Sequence, residues 1–477
     1  MSAIHDLSAI ELAAAMRRRE LSPVEVADHY LSRIARHDAR LGAFVTVTDG
    51  LAREQAAAAE QALIDRAADP YGLPPLLGVP VPVKDLVQVA GVRCTFGSAA
   101  FADNVPAADD GVVSRLRAAG CVLLGKTNAA EFGISCYTEN SVAPPARTPW
   151  DLSLSAGGSS GGAGAAVAGG LAPLGHGNDG GGSVRIPASA CGLVGLKPTR
   201  GRVSGGPTRV DVSGLPTDGA IARTVRDAAA LLDAIAGPMP GDPFPVAPLP
   251  AGETFVAAAD RDPGRLRIGC WRSPVLADVD LHPHCRAAYD AARSLLADLG
   301  HVVEDAPGPF DPQVTASFEV VWSVLAQLAP VPAAAEALLL PITRWMRSVG
   351  ARFTGVEYAG AIGAMQLAAR SAAAAWAAYD VLLAPTLARP PAAVGGIRDD
   401  LNPAADFAAQ KAFSPYCATY NVTGQPAIQL PLYWTELGLP IGVQLAGRHG
   451  DEPTLIAVAA QLEAAAPWAH RRPPAVW

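Results

Sequence analysis

No long run of lysine and arginine stands out in the sequence, and 45 acidic residues against 37 basic ones give a net charge of −8. This balance argues against nucleic acid as a partner, since a protein that binds phosphates needs a basic face. The seven cysteines are scattered and show no CxxC spacing. An odd, dispersed set predicts buried free thiols rather than a disulfide framework, and therefore a reducing, cytoplasmic compartment.

No stretch provides the roughly 20 charge-free apolar residues that a membrane-spanning helix needs. The segment that comes nearest, 154–175, is rich in alanine and glycine and carries a proline, which makes it a poor candidate. The first residues show no basic region followed by an apolar run and a cleavage site. We therefore expect neither a membrane partner nor a secretion signal.

Half of the residues are hydrophobic, so the chain can bury a large core. A length of 477 residues allows two or three ordinary domains or one large α/β fold. Apolar segments at 78–83 and 121–124, with a helical pattern between them, predict a βαβ unit and a parallel sheet.

Two glycine clusters lie between Gly157 and Pro187, and serines accompany both. Ser159 and Ser160 belong to the first cluster, and Ser183 ends the second. Successive N–H groups of a glycine-rich turn can point into one concavity and hold an anion. Such a turn places a serine to attack a carbonyl whose oxygen the turn then stabilises. Tight turns with incidental serines remain the alternative at this point.

A hydroxyl nucleophile needs a base, and the segment GVPVPVKD offers Lys84 directly after an apolar run. A lysine at the end of a buried strand can lose its charge, because burial lowers the pKa of its amine. A surface lysine that lays only its stem on the protein is the alternative. Near Ser183 in sequence, the one histidine that could compete with Lys84 is His176.

Two short patterns point to other chemistry. Residues 120–127 match the phosphate-binding loop G-x-x-x-x-G-K-T, but the interior of the match is an apolar run suited to a strand. Residues 157–161 match G-x-S-x-G, in which Ser159 would be the nucleophile of an α/β-hydrolase esterase, with His301 or His449 as its partner. We rank that interpretation second, because an elbow serine should follow an apolar strand directly.

The three segments together resemble the amidase signature family of serine hydrolases. The matching motifs are VKD at 83–85, GGSSGG at 157–162 and DGGGSVRIPA at 179–188, with further matches at 123–128, 192–204 and 424–431. The resemblance covers nearly the whole chain. It places the catalytic lysine at Lys84, a bridging serine at Ser159 and the nucleophile at Ser183.

The resemblance also implies an α/β fold with a central mixed, largely parallel sheet covered by helices on both faces. It implies an oxyanion hole from the N–H groups of Gly180, Gly181 and Gly182, and a cis peptide bond before Ser159. Supporting residues would be Asp179, Arg185 and Ser160. It implies a small-molecule amide as substrate and neither a metal nor an organic cofactor.

Asn178 and Gly180 depart from the commonest form of the family, which has threonine on both sides of the aspartate. We expect Asn178 to accept hydrogen bonds from turn N–H groups. Within the family, the motifs near the site and the C-terminal segment are most similar to hydrolases of the cyclic dimer of aminohexanoate. Linear and cyclic amides both stay open as substrates, as does a homodimer.

The amidase subunit of a glutamine-dependent amidotransferase shares these motifs and is the alternative function. For the middle of the chain we expect a smaller α/β lobe at 253–310 and a helical, pocket-forming segment at 312–378, both within a single domain at 1–477. Three tryptophans of the helical segment, Trp322, Trp345 and Trp376, belong either to the core or to an apolar acyl pocket.

Overall fold

Two β-sheets and the helices around them make up the computed structural model, which describes residues 3–311 and 313–476. The strands are β1 (Phe44–Val47), β2 (Pro80–Lys84), β3 (Val122–Thr127), β4 (Leu174–Asp179), β5 (Val194–Lys197), β6 (Thr217–Ala222), β7 (Arg267–Cys270), β8 (Val302–Asp305), β9 (Val381–Pro385), β10 (Ala427–Trp434) and β11 (Pro440–Gly447). The α-helices are α1 (Ala9–Arg17), α2 (Pro23–Leu41), α3 (Asp49–Asp65), α4 (Gly111–Ala118), α5 (Gly161–Ala168), α6 (Arg185–Cys191), α7 (Val225–Ile235), α8 (Phe255–Ala258), α9 (Pro283–Asp298), α10 (Gln313–Leu328), α11 (Pro341–Gly350), α12 (Gly355–Ala375), α13 (Pro403–Phe413), α14 (Thr419–Val422) and α15 (Glu452–Ala465). Short 3₁₀ helices cover Ile4–Asp6, Pro70–Gly72, Ala99–Phe101, Glu131–Gly133 and Ala333–Leu338.

The large sheet has eight strands in the order β4-β6-β5-β10-β11-β9-β7-β8, with helices packed against it. It is mixed, as predicted, but the prediction of a largely parallel sheet is wrong. Neighbouring strands from β4 to β9 run antiparallel, and only β9, β7 and β8 are parallel. Short connections such as the turn between β10 and β11 allow only antiparallel pairing, whereas parallel neighbours need a crossover such as α9 between β7 and β8.

The predicted βαβ unit is present and forms a separate three-stranded sheet, in which β2 and β3 run parallel and β1 pairs antiparallel with β3. Strand β3 is fully buried and contains residues 122–127 of the match to the phosphate-binding loop. Its Lys126 forms a buried ion pair with Asp85, at 2.9 Å. Most of the match, including its Gly-Lys-Thr end, therefore lies in a strand and offers no loop that could wrap a phosphate.

The two predicted middle segments join the same body of structure. Strands β7 and β8, on either side of helix α9, lie within 253–310 and extend the large sheet at its edge. Helices α10, α11 and α12 occupy the predicted helical segment, whose first position, 312, lies outside the described residues. The division into one domain with a lobe remains a prediction.

The seven cysteines are all buried and free, as predicted. Within the described ranges, no helix is long and apolar enough to cross a membrane.

Candidate active site

The second glycine cluster begins inside a strand. Strand β4 runs through Asp179, so the sequence HGND is extended rather than part of the turn, and α6 begins at Arg185. The turn between them holds Gly180 to Ser183. Gly182 has a φ of +130°, and a Cβ there would lie 2.5 Å from the Cβ of Cys417. Only glycine fits at this position.

Asp179 organises this turn. Its carboxylate accepts the N–H of Gly182 at 2.7 Å and the N–H of Val184 at 3.2 Å. The amide of Asn421 donates to it as well, at 2.9 Å. The N–H of Gly182 is therefore already engaged, unlike in the predicted three-glycine oxyanion hole. The N–H groups of Gly180, Gly181 and Ser183 have no acceptor among the described residues.

Arg185 pairs with Asp179 through two hydrogen bonds of 3.0 Å, and both side chains are fully buried. Burial alone would raise the pKa of Asp179, but Arg185 outweighs it and holds that pKa well below its usual range. The guanidinium also donates to Gln444 and to the main-chain oxygen of Cys417, at 2.8 Å each. It thereby connects the glycine turn to strand β11 and to the segment before α14.

Replacing Arg185 by methionine is expected to lower the free energy of unfolding by about 3–5 kcal/mol, because the Asp179 carboxylate would stay buried without its partner. The denaturant midpoint of the purified protein measures this loss. Arg53→Met is the matched control: Arg53 pairs with Asp28 at 2.8 Å, but both side chains are about half exposed. Water screens that pair, so its loss should shift the midpoint much less. Equal shifts in the two variants would contradict a structural role for the buried pair.

Lys84 is the last residue of β2, and its side chain is completely buried. Its Nζ lies 2.8 Å from Ser159 Oγ and 2.6 Å from Asn178 Oδ1. Burial lowers the pKa of Lys84 to about 7, because the charged amine would lose its water; Asp179 and Asp218 oppose this shift, and Arg209 adds to it. A substantial neutral fraction near pH 7 makes this amine suitable as a base.

The first glycine cluster brings the serines to the end of β4. The peptide bond between Gly158 and Ser159 is cis, as the resemblance implies. Helix α5 follows at Gly161 and packs close to its neighbours: a Cβ at Gly162 would lie 2.3 Å from the main-chain nitrogen of Asn128. The N–H of Ser160 donates to the main-chain oxygen of Ser183 at 3.2 Å, which joins the two clusters.

Ser183 lies in the wall of a cavity that opens to solvent. Ser183 is 7% exposed, whereas Ser159 is 1% exposed and Lys84 is not exposed. Of these three side chains, Ser183 therefore reaches the space that a substrate could enter. The remaining lining residues are mostly apolar: Ile134, Ser135, Cys136, Gly181, Ile186, Leu276, Phe318, Trp322, Phe407, Gln410, Lys411 and Ser414.

The three tryptophans of the helical segment divide between pocket and core. Trp322 stacks on Phe318, with ring centroids 5.4 Å apart, and lines the cavity. Trp345 packs against Phe407, which lines the cavity, but Trp345 itself is not part of the lining. Trp376 is buried, stacks on Trp271 and donates to the main-chain oxygen of Pro307 at 3.0 Å, so it belongs to the core.

The α/β-hydrolase interpretation, which gives Ser159 a histidine partner, does not match the contacts of this serine. The partner of Ser159 Oγ is the amine of Lys84. His301 instead bonds with the N–H of Leu266 and with Gln461, at 3.2 and 2.8 Å.

The contact of Asn178 with Lys84 was not predicted from the sequence. Asn178 was expected to bind turn N–H groups, but β4 extends through this residue and presents it to β2 instead. The departure from the family's threonine was the available signal. His176 also contacts this lysine, since its Nδ1 accepts the main-chain N–H of Lys84 at 3.4 Å.

Comparisons with known proteins agree with this geometry. The family model "Amidase" matches residues 25–456. A putative amidase, AmiB2, of Mycobacterium tuberculosis is 42% identical over 452 residues, which cover 93% of each chain. One of the subunits of the glutamyl-tRNA(Gln) amidotransferase from Roseiflexus sp. is 35% identical over 503 residues, which cover 99% of each chain.

A solved structure of 6-aminohexanoate cyclic dimer hydrolase superposes with a TM-score of 0.89, at 34% identity and with all of both chains covered. A match over most of the sequence and an equally complete structural match point to one family. The chain therefore belongs to the amidase family and is an amide hydrolase with the fold of the amidase signature enzymes.

Proposed function

We propose that the protein cleaves the C–N bond of carboxylic amides through an acyl-enzyme on Ser183, with Ser159 as proton relay and Lys84 as base. One observation carries this proposal: the buried Lys84 amine lies 2.8 Å from Ser159 Oγ, beside the turn that presents Ser183 to an apolar cavity. A base with a pKa near 7 works best close to neutral pH.

In the proposed reaction, neutral Lys84 accepts the proton of Ser159, and Ser159 accepts that of Ser183. Ser183 Oγ then forms a bond to the amide carbon, and the C=O π electrons move to the oxygen. The N–H groups of Gly180, Gly181 and Ser183 are positioned to hold this oxyanion, since they have no other acceptor among the described residues. As the C–N bond breaks, the relay returns the proton to the leaving amine.

Water repeats the cycle on the ester. Its proton passes through the relay, its oxygen bonds to the acyl carbon, and Ser183 leaves with the returned proton. Because each half-reaction takes up and releases one proton at Lys84, the lysine ends each half as it began. The carboxylic acid is the second product.

The cavity favours an apolar acyl chain, because Phe318, Trp322 and Phe407 line its wall. Lys411, which also lines it, pairs with Glu319. We propose linear or cyclic amide oligomers as the substrate class, since a relative of closely similar structure is named for a cyclic dimer of 6-aminohexanoate. A panel of linear, cyclic and aryl amides, assayed for released amine, tests this choice. Hydrolysis of aryl amides alone would contradict it.

A fluorophosphonate probe tests the assignment of the nucleophile. Mass spectrometry of the labelled, digested wild-type protein is expected to find the adduct on Ser183. An adduct on Ser159 would instead support the esterase interpretation, in which Ser159 attacks directly. The proposed mechanism needs no base other than Lys84 for either half-reaction.

The likeness to an amidotransferase component supports one alternative function, in which ammonia released from glutamine passes to a partner protein. Size-exclusion chromatography of the chain expressed alone, followed by assays with the amide panel and with glutamine, separates the two functions. Turnover of the amide panel by the chain alone supports an autonomous amidase. Glutamine hydrolysis that appears only with a partner would favour the alternative. The same column measures whether the chain forms a homodimer.

We also propose a cytoplasmic location, because the seven buried thiols would stay reduced there.

A further inference from the structure

Strand β4 presents two side chains to Lys84. His176 and Asn178 are two residues apart in the strand and so lie on the same face of it. In the described part of the chain, three oxygens lie within hydrogen-bond distance of Lys84 Nζ: Ser159 Oγ at 2.8 Å, Asn178 Oδ1 at 2.6 Å and the main-chain oxygen of Asn178 at 3.3 Å. Two of these three neighbours are carbonyl oxygens of a single residue, and carbonyl oxygens only accept hydrogen bonds.

We infer that Asn178 is a positioning residue, which accepts hydrogen bonds from both N–H groups of the neutral Lys84 amine and thereby turns the nitrogen lone pair toward the hydroxyl of Ser159. This inference rests on the proposed function of Lys84 as the base. A neutral amine has two N–H groups and one lone pair. If both N–H groups point to Asn178, the third direction is left for Ser159, which must donate.

The same geometry serves the protonated amine. An ammonium has three N–H groups, and the third then donates to Ser159 Oγ after that oxygen has given up its proton. Proton transfer between Ser159 and Lys84 therefore leaves both bonds to Asn178 in place. Such a site needs no rearrangement during the reaction, which is how a preorganised group lowers a barrier.

The charged groups around Lys84 are paired with one another, so together they place little net charge beside its amine. Asp179 is paired with Arg185, and Asp218 with Arg209. His176 accepts the main-chain N–H of Lys84 at Nδ1, so its proton lies on Nε2 and points to Asp218, at 3.0 Å. Asn178 is the closest polar side chain to the amine and carries no charge. A carboxylate at 178 would add an unpaired negative charge in contact with Nζ.

The substitution Asn178→Asp tests the inference through the pH dependence of kcat/KM. A carboxylate in contact with the amine favours the charged lysine, so the acidic limb of the profile is expected to move up by about 1 to 3 pH units. Activity near pH 7 should fall and return at alkaline pH. Asn402→Asp is the matched control: Asn402 caps α13 with its side-chain oxygen, at an exposed position, and its profile should match that of the wild type.

A second pair of variants separates the hydrogen bond from the packing. Threonine and valine have nearly the same shape, but only the threonine hydroxyl can accept from Lys84. We expect Asn178→Thr to keep a kcat at least about tenfold above that of Asn178→Val, since a lost hydrogen bond to a group in the reaction costs on the order of tenfold. The KM values of the two variants should be similar.

The results distinguish this inference from the proposed function. A uniform loss in Asn178→Asp without a shift of the acidic limb, or equal kcat values for the threonine and valine variants, would overturn the role of Asn178. If Lys84→Met also abolishes activity in that case, the lysine is still the base and only its orientation by Asn178 is wrong. If Lys84→Met is active, the proposed function itself fails.

Discussion

Replacing Ser183 by alanine is expected to lower kcat by about 10⁴-fold or more, because loss of the nucleophile of a serine hydrolase removes the whole acyl-transfer route. Ser183 is the member of the proposed triad that reaches the cavity. Its side chain makes no ion pair, and the turn around it is held by Asp179 and Arg185 instead. The variant should therefore fold normally, with an unchanged denaturant midpoint, and should bind substrate while failing to cleave it.

Steady-state release of amine measures the loss, and the fluorophosphonate probe measures the nucleophile independently of substrate choice. Ser189→Ala is the matched control, because Ser189 is also a buried serine and lies on α6, which follows Ser183. We expect this control to keep both its rate and its labelling. Persistent labelling of Ser183→Ala, mapped to Ser159, would remove Ser183 from its proposed role.

The positions of Lys84, Ser159 and Ser183 could be proposed from sequence because the three motifs that contain them together resemble one family, and the local pattern of each motif agrees with that resemblance. An apolar run before Lys84 predicted a buried strand end, and glycine runs predicted tight turns around both serines. The structure places Lys84 at such a strand end and brings it into contact with Ser159. The strand end and the turns are properties of a few neighbouring residues, which sequence patterns describe well, whereas the contact between Lys84 and Ser159 joins positions 75 apart and was implied by the family resemblance.

The contacts that tune the site could not be predicted in the same way, because they join distant parts of the chain. Arg185 reaches Gln444 and Asn421, more than 230 positions away. Asn178 was predicted to serve a turn because asparagine side chains readily accept turn N–H groups, yet pairing of β4 with β6 keeps it in a strand. Which partner a side chain meets is set by strand pairing, and short-range periodicity does not record it.

The predicted direction of most strands in the large sheet was wrong for the same reason, because short-range patterns do not record which strands pair. The βαβ pattern at β2, α4 and β3 is real, and so is the crossover through α9, and both give parallel neighbours. The largely parallel sheet implied by the resemblance does not hold for the strands that carry the site. There β6 pairs antiparallel with both β4 and β5. Strand β4 then leads directly into the glycine turn before α6.

Replacing Lys84 by methionine is expected to abolish activity while preserving stability, a combination that a structural lysine would not show. Methionine fills a similar volume and removes a group that costs free energy to bury, so the free energy of unfolding should stay equal or rise. The relay would lose its base, and kcat should fall by at least about 10³-fold, the scale of a missing general base. Amine release and the denaturant midpoint, measured on the same preparation, give both numbers.

A second buried lysine provides the control. Burial lowers the pKa of Lys197 to about 7 as well, but the hydrogen bonds of its Nζ to described residues go to the main-chain oxygens of Gln425 and Pro198, at 2.7 and 3.0 Å. Lys197→Met should therefore keep the acidic limb of the wild-type kcat/KM profile, which we expect near pH 7 because only neutral Lys84 accepts a proton. A wild-type profile that stays flat down to about pH 5 would contradict a lysine base, even one whose pKa is lowered by burial. Since burial lowers the pKa of both lysines to about 7, the contact with Ser159 is what distinguishes the proposed base from Lys197.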